Sequence, residues 1–284
     1  MARAFHVSPS AVSQQLTALQ RRVEVPLTMR RGRNLVLTAA GQALAEAAVQ
    51  ISVAMSSAEQ AVSRYVQDPT ATVSMCAFTS AGLTYFGPLL ADLASMESSP
   101  RLICHDRDVG QDAFPALTAD FDLVIAHRLE HSPPWPPSVT ALPLVREPLD
   151  IAMSEDHRLA VQPTVGVADL VDEPWVSVHA GYPLVSALDS IAVHAGRPLN
   201  ITHRINEFFI AAAIIAASDA IALMPRHTAA PRPGSGIVLK PLRDIPLTRC
   251  VDILCRPETL HRTAVQKIVA LLQDHATPSL TTMT

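Results

Sequence analysis

Residues 7–41 read VSPSAVSQQLTALQRRVEVPLTMRRGRNLVLTAAG, a capped helix, a basic hairpin and the start of a second helix in 35 positions. Ser8 is placed to accept a hydrogen bond from the unpaired N–H groups of the next turn. Pro9 suits the first helical position because it has no N–H to leave unpaired. Val12, Leu16, Leu19 and Val23 follow at spacings of four, three and four, which puts them on one face for burial. Ser10, Ser13, Gln14 and Gln15 point elsewhere. Hydroxyls and amides at the exposed start of a helix suit a DNA major groove, because Ser and Gln can bond base edges and Pro and Ala permit close approach. Arg21 and Arg22 follow, and then Arg30, Arg31, Gly32 and Arg33 form a hairpin tip.

Charge separates this segment from the rest. Residues 1–37 hold six arginines against one acid, Glu24, or +5, within a chain of net charge −4; the other 247 residues therefore carry about −9. A basic head on an acidic body points to phosphate binding confined to the head. A lone Arg-Gly-Arg is also compatible with a solvated face, and it is the adjoining helix that favours DNA.

The order of motifs closely resembles the winged helix-turn-helix of LysR-type transcriptional regulators. The matching parts are VSPSAVSQQLTALQ as recognition helix, Val25-Pro26-Leu27, the RRGR wing, and Leu37-Thr38-Ala39-Ala40-Gly41 opening a long helix. The resemblance extends, more weakly, over nearly the whole chain. It implies a homodimeric or homotetrameric regulator that binds an interrupted inverted repeat of double-stranded DNA and responds to a small effector in its C-terminal module. By position, Ser8, Pro9, Ser10, Ser13 and Gln14 would meet bases. Arg31 and Arg33, with Arg30 beside them, would lie on phosphate or in the minor groove. The chain departs from the family at Met1, which falls inside the first helix of the usual unit, so the winged helix-turn-helix is expected to be incomplete and the start codon misassigned or the chain truncated. Thr28 replaces a large apolar residue and weakens a small core further.

Leu44, Ala48, Ile51, Met55, Ala58, Val62 and Tyr65 alternate spacings of four and three, an a/d heptad seam. No Gly or Pro interrupts residues 42–68, so one helix of roughly 33 Å is expected between Leu44 and Tyr65. Such a stripe can pack on its own domain; directly after a DNA-reading head, it fits the pairing of two subunits. Gln67 to Thr70 reads as a hinge. The expected organisation is a head at 1–41, a dimerising linker helix at 42–67, a hinge at 68–71 and an effector domain at 72–284.

The fold expected for 72–284 is α/β with two lobes. Short β-like runs alternate with helical ones: ATVSMCAF, RLICHD, FDLVIAH, LVREPLDIAMS, EPWVSVH, LNITHRIN, DAIALMP, GIVLKPL and TRCVDILCR. Alternation of this kind implies parallel strands with crossover helices, and a terminal helix is expected from Glu258 to His275. Crossing strands near Leu144–Met153 and Ile245–Leu254 would divide lobe I (about 72–143 and 247–276) from lobe II (about 144–246). The resemblance implies the same arrangement, similar to periplasmic solute-binding proteins. Ligands sit outside the carboxyl ends of strands in such folds, which makes Thr79, Ser80, His127, Arg128, His179, Asn206 and Phe208 the effector-cleft candidates.

Each has a plainer reading. Thr79 and Ser80 can simply cap a helix, His127 can be a hydrogen-bonded strand end, Arg128 can be solvated, and Trp135 in Ser132–Pro137 can cover the cleft or anchor its loop. Family sequences often have a Gly pair where this chain reads Ser218-Asp219-Ala220, which puts that turn in question. Sparse aromatics favour a small polar or charged effector.

Other classes find little support. No phosphate-cradling GxxxxGK, GxGxxG, GxSxG or HExxH is present, and the eleven histidines lack ligand spacing. No metal, cofactor or catalytic residue is expected. Cys76, Cys104, Cys250 and Cys255 sit in apolar stretches and read as free thiols. No signal run or apolar span of 18 residues occurs, so a cytoplasmic protein without membrane contact is expected. A stand-alone small-molecule binding protein, or an enzyme on the same fold, would leave the basic head and the heptad seam without a role.

Overall fold

The structure is a computed structural model that describes residues 9–32, 34–63, 68–232 and 234–276. Ser8, Arg33 and Tyr65, named above, lie outside them.

Helix α1 spans Pro9–Gln20 and is followed by the hairpin β1 (Thr28–Arg31) and β2 (Asn34–Leu37). The strands are antiparallel with Thr28 opposite Leu37 and Arg31 opposite Asn34. Gly32 holds the tip at φ 63°, a left-handed conformation that costs glycine little. Gln20 ties the end of α1 to the next turn: its amide donates to the carbonyls of Val23 (3.1 Å) and Val25 (2.9 Å), and its oxygen accepts from the N–H of Leu27 (2.7 Å). Leu27 itself is buried.

Helix α2, Ala39–Ser63, begins where Thr38 accepts from the N–H of Gly41 (3.0 Å), an N-cap that also donates to the Pro26 carbonyl (2.6 Å). At Gly41 a Cβ would lie 1.9 Å from the Leu27 carbonyl oxygen, so only glycine lets this helix approach the head. Along α2, Val49, Val53 and Ser56 are half-buried, and the Ser56 hydroxyl faces the Glu258 carbonyl at 3.5 Å. The heptad positions Ile51 and Met55 point away, each 61% exposed.

The larger domain is built on β3 (Thr72–Ala77), α3 (Thr79–Ser95), β4 (Arg101–Asp106), α4 (Phe114–Leu117), β5 (Leu123–Leu129) and the long β6 (Thr140–Ser154). It continues through α5 (Val167–Leu170), β7 (Pro174–Ser177), α6 (Pro183–Ala195), β8 (Asn200–Arg204), α7 (Phe208–Ala216) and β9 (Ile221–Pro225). It closes with β10 (Ile237–Lys240), β11 (Thr248–Cys255) and α8 (Thr263–Ala276). The strand order is β4-β3-β5-β11-β6-β9-β7-β8, with β10 also on β6. Pairs β3/β4, β3/β5, β7/β8 and β7/β9 are parallel, as crossover helices require. The joining strands differ: β11 is antiparallel to both β5 and β6, and the sheet is mixed.

Strand β6 joins the two lobes. Its first half pairs with β11 and its second half with β9 and β10. One core gathers Met75, Phe114, Ile125, Ile253 and Ile268 in lobe I; another gathers Ile151, Trp175, Ile191 and Ile221 in lobe II. The expected terminal helix is interrupted. Pro257–His261 forms a 3-10 turn, Arg262 is extended, and α8 starts after it. Arg262 turns outward there to donate to Asp122 Oδ1 and the Thr72 carbonyl (2.6 Å). The Ser218 turn needs no glycine, because Ser218 donates to the Ile214 carbonyl (2.7 Å) and accepts from the Ala220 N–H (3.2 Å).

Among the described residues, no helix is long and apolar enough to cross a membrane and no His, Cys, Asp and Glu gather to hold a metal ion. The four cysteines are unpaired; Cys76, Cys250 and Cys255 are buried and Cys104 half-buried.

Candidate ligand cleft and nucleic-acid interface

The cleft between the lobes is built on a buried ion pair that the joining strands supply. Arg249 of β11 and Glu147 of β6 are both fully buried. Arg249 Nε and Nη2 donate to Glu147 Oε1 at 2.9 and 2.5 Å, and Nη2 also reaches Thr228 Oγ1 and, at 3.5 Å, Ser80 Oγ. Glu147 accepts in addition from the N–H groups of His227 and Thr228 and from the Thr228 hydroxyl. Burial alone would raise the Glu147 carboxyl; the Arg249 charge and the Thr228 bonds overcome it and hold the group below its usual value. The Arg249 guanidinium also lies 5.0 Å from the Phe78 ring centroid.

Arg249 Nη1 is buried and has no acceptor among the described residues. Arg249 lines a cleft of about 360 Å³ with Thr79, Ser80, His127, Asp108 and Phe208. Thr79 and Ser80 open α3, whose start has no side-chain cap, so its first-turn N–H groups add to the donors there. His127 is buried against the rings of Phe78 and Phe114 at 4.5 and 5.5 Å. Burial first and Arg249 second push its imidazole well below the ordinary value, which keeps it neutral, and its Nδ1 has no partner among the described residues.

The far lip is closer than an open cleft would be. The Tyr182 hydroxyl donates to the Asp108 carbonyl across it (3.2 Å), and a Cβ on Gly110 would sit 2.6 Å from the Gly181 oxygen. Asp108, at the exposed rim, has its carboxyl pushed up to about 6 by surrounding protein and by Glu207, against the pull of Arg249.

Residues 67–277 match the family model described as "LysR substrate binding domain", and residues 2–42 match "Bacterial regulatory helix-turn-helix protein, lysR family". The chain belongs to the LysR family. That family is one of ligand-responsive transcriptional regulators, not enzymes. Among curated relatives, the small neutral protease regulatory protein of Streptomyces coelicolor is 30% identical over 131 residues, which span 45% of this chain and 40% of that protein. Among solved structures, a full-length OxyR variant from Pseudomonas aeruginosa aligns with a TM-score of 0.61 at 17% identity, over 97% of this chain and 87% of that one. The Synechocystis PCC6803 CcmR regulatory domain in complex with 2-PG aligns at 0.60 and 15% identity, over 72% of this chain and 97% of that one. At these identities the two structures establish the shared fold.

Within this LysR-type regulator the structure brings four of the seven cleft candidates to one space. Thr79, Ser80, His127 and Phe208 line one space. Arg128 does not join them: adjacent strand residues face opposite sides of a sheet, and its Nε turns to Asp252 Oδ2 at 3.5 Å. Trp135 donates to the same oxygen at 2.7 Å, so it anchors its loop. Asn206 Oδ1 accepts from the His179 N–H at 2.8 Å, a brace between the ends of β7 and β8 outside the cleft lining. The polar cleft residues not expected from sequence include Asp108, Tyr182 and Arg249, with Glu147 and Thr228 bonded to Arg249. A signal existed for two of them, since Arg249 and Glu147 are charges set in apolar strand runs, and a buried charge needs a partner.

In the head, Ser10, Ser13 and Gln14 of α1 are exposed, as are Arg30 and Arg31 beside the Gly32 tip. Pro9 begins the helix. Helix face and hairpin tip thus offer two separate polar surfaces.

Proposed function

We propose that this regulator binds an interrupted inverted repeat of double-stranded DNA as a dimer or tetramer in the cytoplasm, under control of a small molecule held between its lobes. Ser8, Pro9, Ser10, Ser13 and Gln14 read bases; Arg30, Arg31 and Arg33 hold the backbone or enter the minor groove. Residues 1–41 form the reading head, 42–67 the pairing helix and 72–284 the effector module. The exposed Ile51 and Met55 support pairing through α2, because that stripe is not spent on the chain's own domain.

The observation that carries the effector reading is the Arg249 cluster. It ties both joining strands to Ser80 of lobe I and Thr228 of lobe II, so a ligand that occupies the donors at Ser80 and Arg249 has different contacts with closed and open lobes. Only such a difference can shift the population between two arrangements of the reading heads. The solved CcmR domain holding 2-PG is in keeping with a small-molecule ligand.

A salt-dependent anisotropy titration against DNA from upstream of the gene tests the reading. Arg31→Ala should weaken binding alike across sequences and flatten the salt slope by about one unit. Gln14→Ala should relax sequence preference with the slope unchanged. Identical behaviour of the two variants, or no sequence preference in the parent chain, would overturn it.

A further inference from the structure

Behind the polar cleft lies a second space that a small polar effector would leave empty. It spans about 550 Å³, part of it open to solvent, between α7 and the segment that follows β9, and is walled by Phe209, Ala212, Met224, Ala229, Ala230 and Pro231. Ser80 and Phe208 line both spaces, and Thr228, which lines the second, bonds to Arg249, which lines the first. The two are therefore neighbours across a wall of one serine, one threonine and one ring. At the far side the Ser235 hydroxyl is buried without a partner among the described residues, and Arg232 covers the Phe209 ring at 5.5 Å.

The composition of the two spaces differs in kind. The first offers the unpaired Arg249 Nη1, two hydroxyls and an uncapped helix start. Its one buried cation is already balanced by Glu147, and Asp108 and Glu207 stand at the rims. Its free donors suit one negative group, and the neighbouring carboxylates oppose a second. The second space is almost wholly apolar, and an apolar chain entering it gains roughly a four-fold affinity for each methylene buried.

We propose that the effector is an amphipathic monocarboxylic acid, with its carboxylate at Ser80 and Arg249 and an aliphatic or aryl tail in the space beside α7. The sequence expectation of a small polar effector followed from the few aromatics in the chain, whereas the apolar wall of this second space combines Ala, Pro and Met with the rings of Phe208 and Phe209. The inference rests on the cleft reading above and adds the tail. Phe208, shared by both spaces, is the side chain that must swing for a ligand to span them.

Calorimetric titration of the full chain with butyrate, octanoate and octylamine separates the possibilities. Octanoate should bind about 100-fold or more tighter than butyrate, with octylamine inactive. Ala212→Trp should remove the octanoate advantage and leave butyrate unchanged; Ala230→Trp, at an exposed wall position, serves the same end if the first variant does not fold. Equal binding of butyrate and octanoate would overturn the tail and keep the cleft. Octylamine binding as well as octanoate would overturn the carboxylate head, and no binding by any of the three would overturn the ligand class.

Discussion

The head and the effector domain hold their shapes by different means. Among the described residues of the head, Leu27 is the buried large apolar side chain, whereas Leu19, Val25, Met29, Leu35 and Leu37 are 42–57% exposed. Its geometry comes from polar links: Gln20 to three backbone groups, Thr38 to two, and the close pass of Gly41 over Leu27. In the effector domain the order is reversed. Extensive apolar cores fix two lobes, and a buried ion pair ties the strands where the lobes meet. A region built on burial can absorb the loss of a contact; one built on a few polar links cannot.

The sharpest way to break the effector side is at its ion pair. Arg249→Met leaves Glu147 buried without its cation, a loss of about 3–5 kcal/mol in the domain's unfolding free energy. Adding Glu147→Gln should restore most of it, because the amide oxygen can still accept from the N–H groups of His227 and Thr228 while the orphan charge is gone. The pH dependence has a definite sign. Glu147 is held below its ordinary value in the folded parent, so its contribution is present above about pH 4.5 and is lost as pH falls through the folded value. Chemical denaturation at pH 7 and pH 4 should show the Arg249→Met deficit shrinking in acid. A deficit that does not change with pH would mean that the loss is one of packing.

Gly41→Ala addresses the head. Its methyl would overlap the Leu27 carbonyl, and the helix must back away at a cost of about 1–3 kcal/mol. In a head with so little buried, that should accelerate amide exchange across Thr28–Leu37 and abolish DNA binding. The effector domain's denaturation midpoint should stay in place. If the midpoint moves as well, the two regions unfold as one and the contrast between them fails.

What could be read in sequence follows the same division. The head was legible because its determinants are local: a helix that starts at Pro9, a glycine tip and Thr38-Ala39-Ala40-Gly41 all fall within one short stretch. The strand and helix order of the effector domain was legible from periodicity, but the break at Arg262 was not, since it depends on Asp122 and Thr72 far along the chain. The cleft was half legible. Thr79, Ser80, His127 and Phe208 follow from strand ends, while Arg128 faces Asp252, as strand alternation beside His127 already implies. The Arg249–Glu147 pair joins residues 102 positions apart, and nothing local announces which buried acid meets which buried base.

The smallest expected effect lies at the rim between the lobes, with Asp108→Asn. The folded chain keeps the Asp108 carboxyl near 6 against an ordinary 3.8, so the folded state binds the proton more tightly than the unfolded one. Stability from this group is therefore greatest below about pH 4 and declines as pH rises to about 6, after which the cost is constant. Asp108 is exposed enough for solvent to screen it, and the gain for Asn at pH 7 should stay below about 1 kcal/mol. Melting at pH 4 and pH 7 should show the variant ahead only at the higher pH. Because the same carboxylate opposes an incoming anion, octanoate should also bind Asp108→Asn a few-fold more tightly at pH 7 and equally at pH 4. A gain in stability without a gain in binding would separate the rim from the ligand path and leave Arg249 alone to set the cleft's preference for charge.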